Sequence, residues 1–269
     1  MAKPVFMGYT DPTVPGNWTE VGFIGNRLSV VDAGYLNQIR EGNVPGHAYV
    51  HIHGHSHSVG LINQEISQLG TTAFGNWPAA AAGVILVSDN AADNAAGTGA
   101  RTVTVYGLDN NWDEVSEVVP MDGITPTTIT TQIFRRINEL EVTTAGSGFV
   151  AAGEIIASIS GTDIIAIGGD HHSTADPGRY TVPAGMTVYL ENPEASGIGN
   201  KEVTIHIYTR DNTIADAPFL LRKTWHIKDG GYNPSGRLEP VTEKTDILFT
   251  AHAELAGATV SASIEGWIE

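Results

Sequence analysis

The sequence predicts an all-β protein: an antiparallel β-sandwich, jelly-roll-like, with a short N-terminal arm containing one helix. Three observations predict this class. Short runs of β-branched and apolar residues recur after about residue 46, apolar and polar residues alternate within them, and clusters of glycine, proline and asparagine separate them. Helical segments do not alternate with these runs, so a Rossmann or TIM architecture is not expected.

Residues 1–45 form the predicted arm, which is rich in glycine, proline and asparagine. One helix is predicted in the stretch VVDAGYLNQIREGNVPG, with Asp32 as its N-cap and Arg40 near its end. Gly42 and Pro45 are expected to end it. We expect this arm to attach the protein to a partner, with residues 46–269 forming the sandwich domain.

The predicted strands follow one another along the second part of the chain. They are 83–88, 101–108, 113–119, 125–134, 139–144, 153–160, 163–168, 179–183, 186–192, 201–210, 219–227, 246–255 and 259–268. In KEVTIHIYTR, Val203, Ile205 and Ile207 share one face, and the polar residues between them share the other. The stretches DNAADNAAGTGA, NPEASGIGN and KDGGYNPSG are predicted to be the turns between strands.

Composition excludes several classes of function. The 14 Lys and Arg against 30 Asp and Glu give a formal charge of −16, which repels polyphosphate, so nucleic-acid binding is not expected. There is no cysteine, which excludes disulfides and thiolate chemistry. The N-terminal stretch lacks an apolar run of signal-peptide length, and no run is long enough to cross a membrane, so we expect a soluble protein.

The stretch YVHIHGHSHSVG carries histidine at every second position. These residues are His51, His53, His55 and His57. On an extended chain they point to one side, so they are the candidate ligands of a transition-metal ion such as Fe, Ni or Zn. Two imidazoles from each of three chains would surround an ion on a trimer axis, where Gly54 and Ser56 would allow close approach. Alternatively, the histidines line a wet strand and hydrogen-bond to water, backbone and carboxylates.

Other metal-binding patterns are less complete. A cupin-type site requires a glutamate soon after the His-x-His pair, but the next carboxylate is Glu65, too far along the chain. The GGDHHST loop offers Asp170, His171 and His172, and is expected to be a polar surface loop. A further loop offers oxygen ligands that calcium would accept, but it lacks the spacing of an EF-hand. Its candidate residues are Asp89, Asn90, Asp93 and Asn94.

No catalytic constellation is predicted. The chain contains neither a P-loop nor a nucleophile elbow of the form G-x-S-x-G. We therefore expect a protein that is not an enzyme and that requires no cofactor.

Three stretches resemble virion structural proteins of tailed bacteriophages, particularly marine podoviruses. The first is residues 95–148, with its Gly-rich turn, its GLD turn and the DG hairpin of MDGI. The second pairs YTVPAGMTVYL (180–190) with KEVTIHIYTRD (201–211), and the third is the C-terminal stretch 240–269 ending in EGWIE. Asp-Gly and Pro-Ala-Gly are also turn signals for purely physical reasons.

The resemblance implies a component of the virus particle: a capsid decoration protein or head fibre, or a tail-associated protein. The expected partners are other virion proteins, such as the major capsid, portal or tail proteins, and further copies of the same chain, with a trimer favoured. The resemblance supplies no catalytic residue.

Two alternatives from other classes stay open. One is a carbohydrate- or receptor-binding module that holds a host surface glycan on the turn aromatics Trp77, Trp112 and Tyr232. The other is a metal-dependent enzyme built on the first three histidines of the column.

Overall fold

The computed structural model describes residues 21–24, 27–30, 35–70, 74, 77–78, 80–169, 172–232 and 237–269. These residues fold mostly into antiparallel strands, with one short helix, α1 (Tyr35–Arg40). The predicted class, an all-β antiparallel sandwich with one helix near the N-terminus, is confirmed. The chain divides into two compact units, Met1–Tyr49 with Glu269, and Val50–Ile268.

The first unit contains a short hairpin and the helix. Strands β1 (Val21–Ile24) and β2 (Arg27–Val30) pair in antiparallel fashion. The helix α1 ends as predicted, because Gly42 adopts a φ of 74°. The proposed N-cap, Asp32, lies outside the described residues.

The remaining strands form three sheets. In chain order they are β3 (Ala48–Val59), β4 (Gln64–Glu65), β5 (Val84–Ser88), β6 (Ala100–Leu108), β7 (Glu114–Pro120), β8 (Arg136–Ala145), β9 (Ile155–Ile159), β10 (Thr162–Ile167), β11 (Arg179–Thr181), β12 (Val188–Asp211), β13 (Leu220–Tyr232), β14 (Thr245–Ala253) and β15 (Ala258–Ile268). Two sheets have three strands each, in the orders β10-β9-β5 and β7-β6-β8. The third has the order β11-β14-β12-β15-β3, with β13 also paired to β12 and β4 to β14.

The second unit has two hydrophobic cores. The two three-stranded sheets share one of them, in which Leu86 and Ile155 pack with Val105 and Leu140 from the facing sheet. The seven-stranded sheet encloses the other, centred on side chains such as Ile205 and Phe249. The predicted alternation is confirmed here, because Val203, Ile205 and Ile207 of β12 are buried while the polar residues between them are not, and Val260, Ala262 and Ile264 of β15 follow the same pattern.

The predicted turn NPEASGIGN is wrong. It lies inside β12, a strand of 24 residues. β12 pairs with β15 along its first half, with β14 along its second half, and with β13 on both sides of residues 198–201. Gly199 and Asn200 have positive φ, and the β13 register shifts between Gly197 and Glu202, so local turn chemistry bends the strand without ending it. The first part of KDGGYNPSG likewise belongs to β13, and residues 233–236 lie outside the described residues.

The predicted strand 125–134 is also wrong. The segment runs beside β5, where the Thr127 and Thr130 hydroxyls accept hydrogen bonds from the backbone N–H groups of Leu86 and Val84 at 3.0 and 2.8 Å. The Thr127 and Thr130 N–H groups donate in return to the Leu86 and Val84 carbonyls, and these separate pairs of bonds do not make a continuous ladder. Pro126, which lacks an N–H, further disfavours a continuous strand.

A buried ionic cluster joins the two cores. Asp246 of β14 is fully buried, and Arg136 of β8 donates to both of its carboxylate oxygens at 2.9 and 3.2 Å. Arg210 of β12 donates to the same carboxylate at 2.6 Å, and the Thr181 hydroxyl at 2.7 Å. Burial alone would raise the pKa of Asp246, but the adjacent Arg136 and Arg210 charges lower it overall, so the carboxylate stays ionised.

We predict that Asp246→Asn destabilises the fold by about 3–5 kcal/mol, because it leaves the buried Arg136 without its counter-ion. Urea unfolding followed by circular dichroism would measure this loss.

The matched control is Arg237→Gln, which breaks the ion pair to Glu191 where the arginine side chain is 72% exposed. It should cost less than about 1 kcal/mol. Equal stability losses in the two variants would contradict a central role for the Asp246 cluster.

Candidate functional site

Strand β3 places the four histidines of the column on one side, as the sequence predicts. Val50 and Ile52 are buried on the other side, while His53 and His55 are half-buried and His51 and His57 are exposed. The strand therefore presents imidazoles outward from a sheet whose inner face lines the large core.

Gly54 and Ser56 face inward, so their small size serves packing within the chain. A Cβ on Gly54 would lie 2.4 Å from the Ile66 carbonyl oxygen and 2.7 Å from the Gly178 Cα. The Gly178 N–H donates to the His53 carbonyl at 2.9 Å. The close approach predicted between chains at Gly54 is thus used by the segment that precedes β11 of the same chain.

The four imidazoles of the column contact one another in two pairs, His55 with His57 and His51 with His53. The Nε2 of His55 lies 3.3 Å from the Nδ1 of His57, and the other ring nitrogen of His55 hydrogen-bonds to the Ser261 hydroxyl at 2.7 Å. His51 instead stacks on His53 with ring centroids 6.0 Å apart. Ser261 lies on the neighbouring strand β15, which therefore fixes the orientation of the His55 ring.

Asp176 lies beside His53 and His172. Its carboxylate lies 3.0 Å from the Nδ1 of His53 and 3.9 Å from the Nδ1 of His172. Burial raises the pKa of Asp176. The hydrogen bond from His53 and the nearby imidazoles of His53, His172 and His55 outweigh burial and lower the pKa overall. Sequence reasoning missed Asp176, because 123 residues separate it from His53 and no local pattern marks it.

His55 is held toward its neutral form. Its partial burial, together with His57, lowers the pKa of the imidazole below 6.5, and Asp176 opposes this only in part. A neutral imidazole keeps a nitrogen lone pair free for a metal ion.

The paired nitrogens of His55 and His57 have the separation of two ligands on one ion, since Zn–N bonds of about 2.1 Å place adjacent ligands roughly 3.4 Å apart in a tetrahedron. Across the described ranges, no three His, Asp or Glu side chains are arranged to hold a metal ion together. The site as it stands is a two-nitrogen chelate that a second chain, or water, would have to complete.

A polar cleft of about 360 Å³ lies beside the histidine strand. Its polar lining consists of His53, Glu194, Ser196, Ser261 and Ser263. The outward positions of the TVSASIEGWI stretch supply Ser261 and Ser263, so the alternation in that stretch was the signal from which this part of the cleft could have been inferred.

The other candidate loops serve the fold. Asp93 is fully buried, and its carboxylate accepts four hydrogen bonds, from the Ser88 hydroxyl and the N–H groups of Ala100, Ala152 and Gly153. With its lone pairs engaged in this way, Asp93 is not placed to bind calcium.

The flanking residues of the same loop also make local bonds. Asp89 accepts from the Glu154 N–H, Asn90 donates to the Ala152 carbonyl, and Asn94 accepts from the Ala96 N–H. In the GGDHHST loop, Asp170 and His171 lie outside the described residues.

Two of the proposed glycan-binding aromatics, Trp112 and Trp77, pack against arginine side chains of the same chain. Trp112 is 8% exposed and lies under the guanidinium groups of Arg135 and Arg136, at 4.7 and 5.0 Å. Trp77 is half-buried among three arginines. The side chain of Tyr232 lies outside the described residues. Trp112 is therefore not available to stack on a sugar.

No known protein family, curated protein or solved structure matches this chain. Among the described residues, no helix has both the length and the apolar content needed to span a bilayer.

We predict that the free energy of unfolding decreases between pH 7.5 and pH 5.5, and decreases less in His55→Gln. Because folding lowers the pKa of His55 below 6.5, the unfolded chain binds more protons as the pH falls through that value. The stabilisation from the neutral ring is complete above pH 6.5 and is lost below it.

Urea unfolding at a series of pH values would measure this dependence. Thr259→Ala changes the same outer face without removing a titrating group, and should keep the pH dependence of the unmodified protein. The same pH dependence in all three proteins would contradict the prediction.

Proposed function

We propose that this chain is a non-enzymatic, architectural component of a bacteriophage particle, either a capsid decoration protein or head fibre, or a tail-associated protein. The resemblance of residues 95–148, 180–190 with 201–211, and 240–269 to virion structural proteins supports the particle assignment. The all-β sandwich supports the architectural role.

The observation that carries the proposal is the use of buried charge. The carboxylates of Asp93 and Asp246 are both fully buried, and each is saturated by protein donors that come from distant parts of the chain. A catalytic carboxylate keeps an oxygen directed at substrate. Here the oxygens of both buried carboxylates accept hydrogen bonds from separate segments of the chain, which supports a structural role for them.

One end of the large sheet offers a surface for assembly. Leu61 and Ile62 follow β3, and Leu255 lies in the turn between β14 and β15; all three are at least 61% exposed. The two turns are adjacent, because the Ala253 N–H donates to the Gly60 carbonyl at 2.8 Å. Exposed apolar side chains grouped in this way are typical of surfaces that become covered by a partner.

The test of the proposed function is the copy number of the protein in purified phage particles, measured by quantitative mass spectrometry. We expect a fixed ratio to the major capsid protein. Hundreds of copies would identify a decoration protein or head fibre, and a few to a few dozen a tail or vertex protein. Absence from purified particles, or turnover of a small molecule by the purified chain, would contradict the proposal.

A receptor-binding role is the second candidate, and the polar cleft beside His53 favours it. Hydroxyl and carboxylate groups such as those of Ser261 and Glu194 are suited to hydrogen-bonding the hydroxyls of a glycan. A low copy number combined with binding of the isolated chain to host polysaccharide would favour this role over decoration.

We further propose that the chain forms a homotrimer held by a transition-metal ion at the column. The support is the His55 and His57 pair, since three such pairs supply six nitrogens to an octahedral ion. His51 and His53 lie on the same strand face and would flank the ion.

We predict that EDTA converts the trimer to smaller species in light scattering coupled to size exclusion, and that His55→Gln with His57→Gln has the same effect without chelator. The control His47→Gln removes an imidazole that lies outside the column and should stay trimeric. A trimer that survives both EDTA and the double substitution would exclude the axial ion.

A further inference from the structure

A second group of imidazoles lies on the large sheet, away from the column. His206, His226 and His252 come from three adjacent strands, β12, β13 and β14. Thr204 of β12 is directly opposite His252 on one side and His226 on the other, and His206 is two residues further along β12. The three rings therefore surround Thr204 on one face of the sheet.

That face is the outer one. Ile205 is fully buried in the large core, whereas His206 and His252 are half-buried and His226 is exposed. Because side chains alternate along a strand, the imidazoles point away from the core and toward solution. Nothing in the sequence alone brings these residues together, since they lie on strands that pair only in the fold.

The rings of two of these histidines lie close together. The centroids of His206 and His252 lie 5.7 Å apart, with the ring planes inclined at 28°. The Nδ1 of His206 is 2.9 Å from the Thr224 hydroxyl, and the Nδ1 of His226 is 3.1 Å from the Thr204 hydroxyl. In the described part of the chain, these contacts engage Nδ1 of His206 and His226, so Nε2 is the candidate ligand atom of both rings.

A hydroxyl or carbonyl on one ring nitrogen is the usual companion of a metal ion on the other, because it fixes the tautomer and the orientation of the ring. Imidazole nitrogens suit zinc, copper and nickel, whereas calcium and magnesium prefer oxygen. The formal charge of −16 also raises the local concentration of divalent cations around the protein.

We propose that His206 and His252 bind a late first-row transition-metal ion, Zn²⁺, Ni²⁺ or Cu²⁺, as a two-imidazole chelate on this outer face. His226 supplies a third nitrogen after rotation of its exposed side chain. The site shares no residue with the column. Both imidazoles come from one chain and water would complete the coordination, so the site would bind one ion per chain.

The experiment separates the two sets of histidines. In a background variant, His51, His53, His55 and His57 are all changed to Gln, which removes the column. Titration of Zn²⁺ or Ni²⁺ into this variant by calorimetry, in a buffer without chelating components, should show one ion per chain. Adding His206→Gln or His252→Gln should weaken binding at least about tenfold, and His226→Gln should weaken it less.

Thr224→Val is the matched control for the hydrogen bond. It leaves every imidazole in place but removes the partner of the His206 Nδ1, and it should weaken binding by about tenfold without abolishing it. An unchanged affinity in this variant, together with unchanged affinity in the His206 and His252 variants, would overturn the proposal.

A measurement on the unmodified protein keeps the test valid if a variant fails to fold. Paramagnetic Ni²⁺ or Cu²⁺ should selectively broaden the ring resonances of His206 and His252 in nuclear magnetic resonance spectra. Broadening confined to the column, or no saturable binding to the column-less protein below about 1 mM, would exclude the site.

Discussion

The bidentate ion pair between Arg136 and Asp246 is the constraint on which the arrangement of the second unit depends. It joins β8, which belongs to the pair of three-stranded sheets, to β14, which belongs to the seven-stranded sheet. The adjacent pair Asn138 and Thr181 adds two hydrogen bonds between β8 and β11, at 3.0 and 2.9 Å. Apolar packing is non-directional, so these directional bonds are what fix one core against the other.

Three arginines surround one tryptophan at this junction. The guanidinium groups of Arg136, Arg179 and Arg210 lie 4.8 to 5.3 Å from the centre of the Trp77 ring. In a chain with only 14 basic residues, grouping several of them here leaves the outer surface strongly acidic. The charges of these arginines are balanced inside the protein by the buried carboxylates of Asp246 and Glu65.

Some predictions from the sequence succeeded because they concern local physics. Alternation along β12 predicts which side of the strand is buried, and Gly42 ends the helix because glycine readily adopts positive φ. The same alternation correctly places the histidines of β3 on one face. Predictions failed where distant partners intervened, as in residues 191–200, where pairing with β15 and β13 carries the strand through a turn-like sequence.

The sequence by itself determined the all-β class, the alternating faces and the placement of the four histidines on one face, since each follows from a period of two residues along one strand. Only the tertiary structure decided which side chains meet. Asp176 reaches His53, Ser261 reaches His55, and His206 meets His252 through strand pairing across long separations in sequence. No local pattern encodes such contacts, because they depend on the order and register of strands that the whole chain must fold to establish.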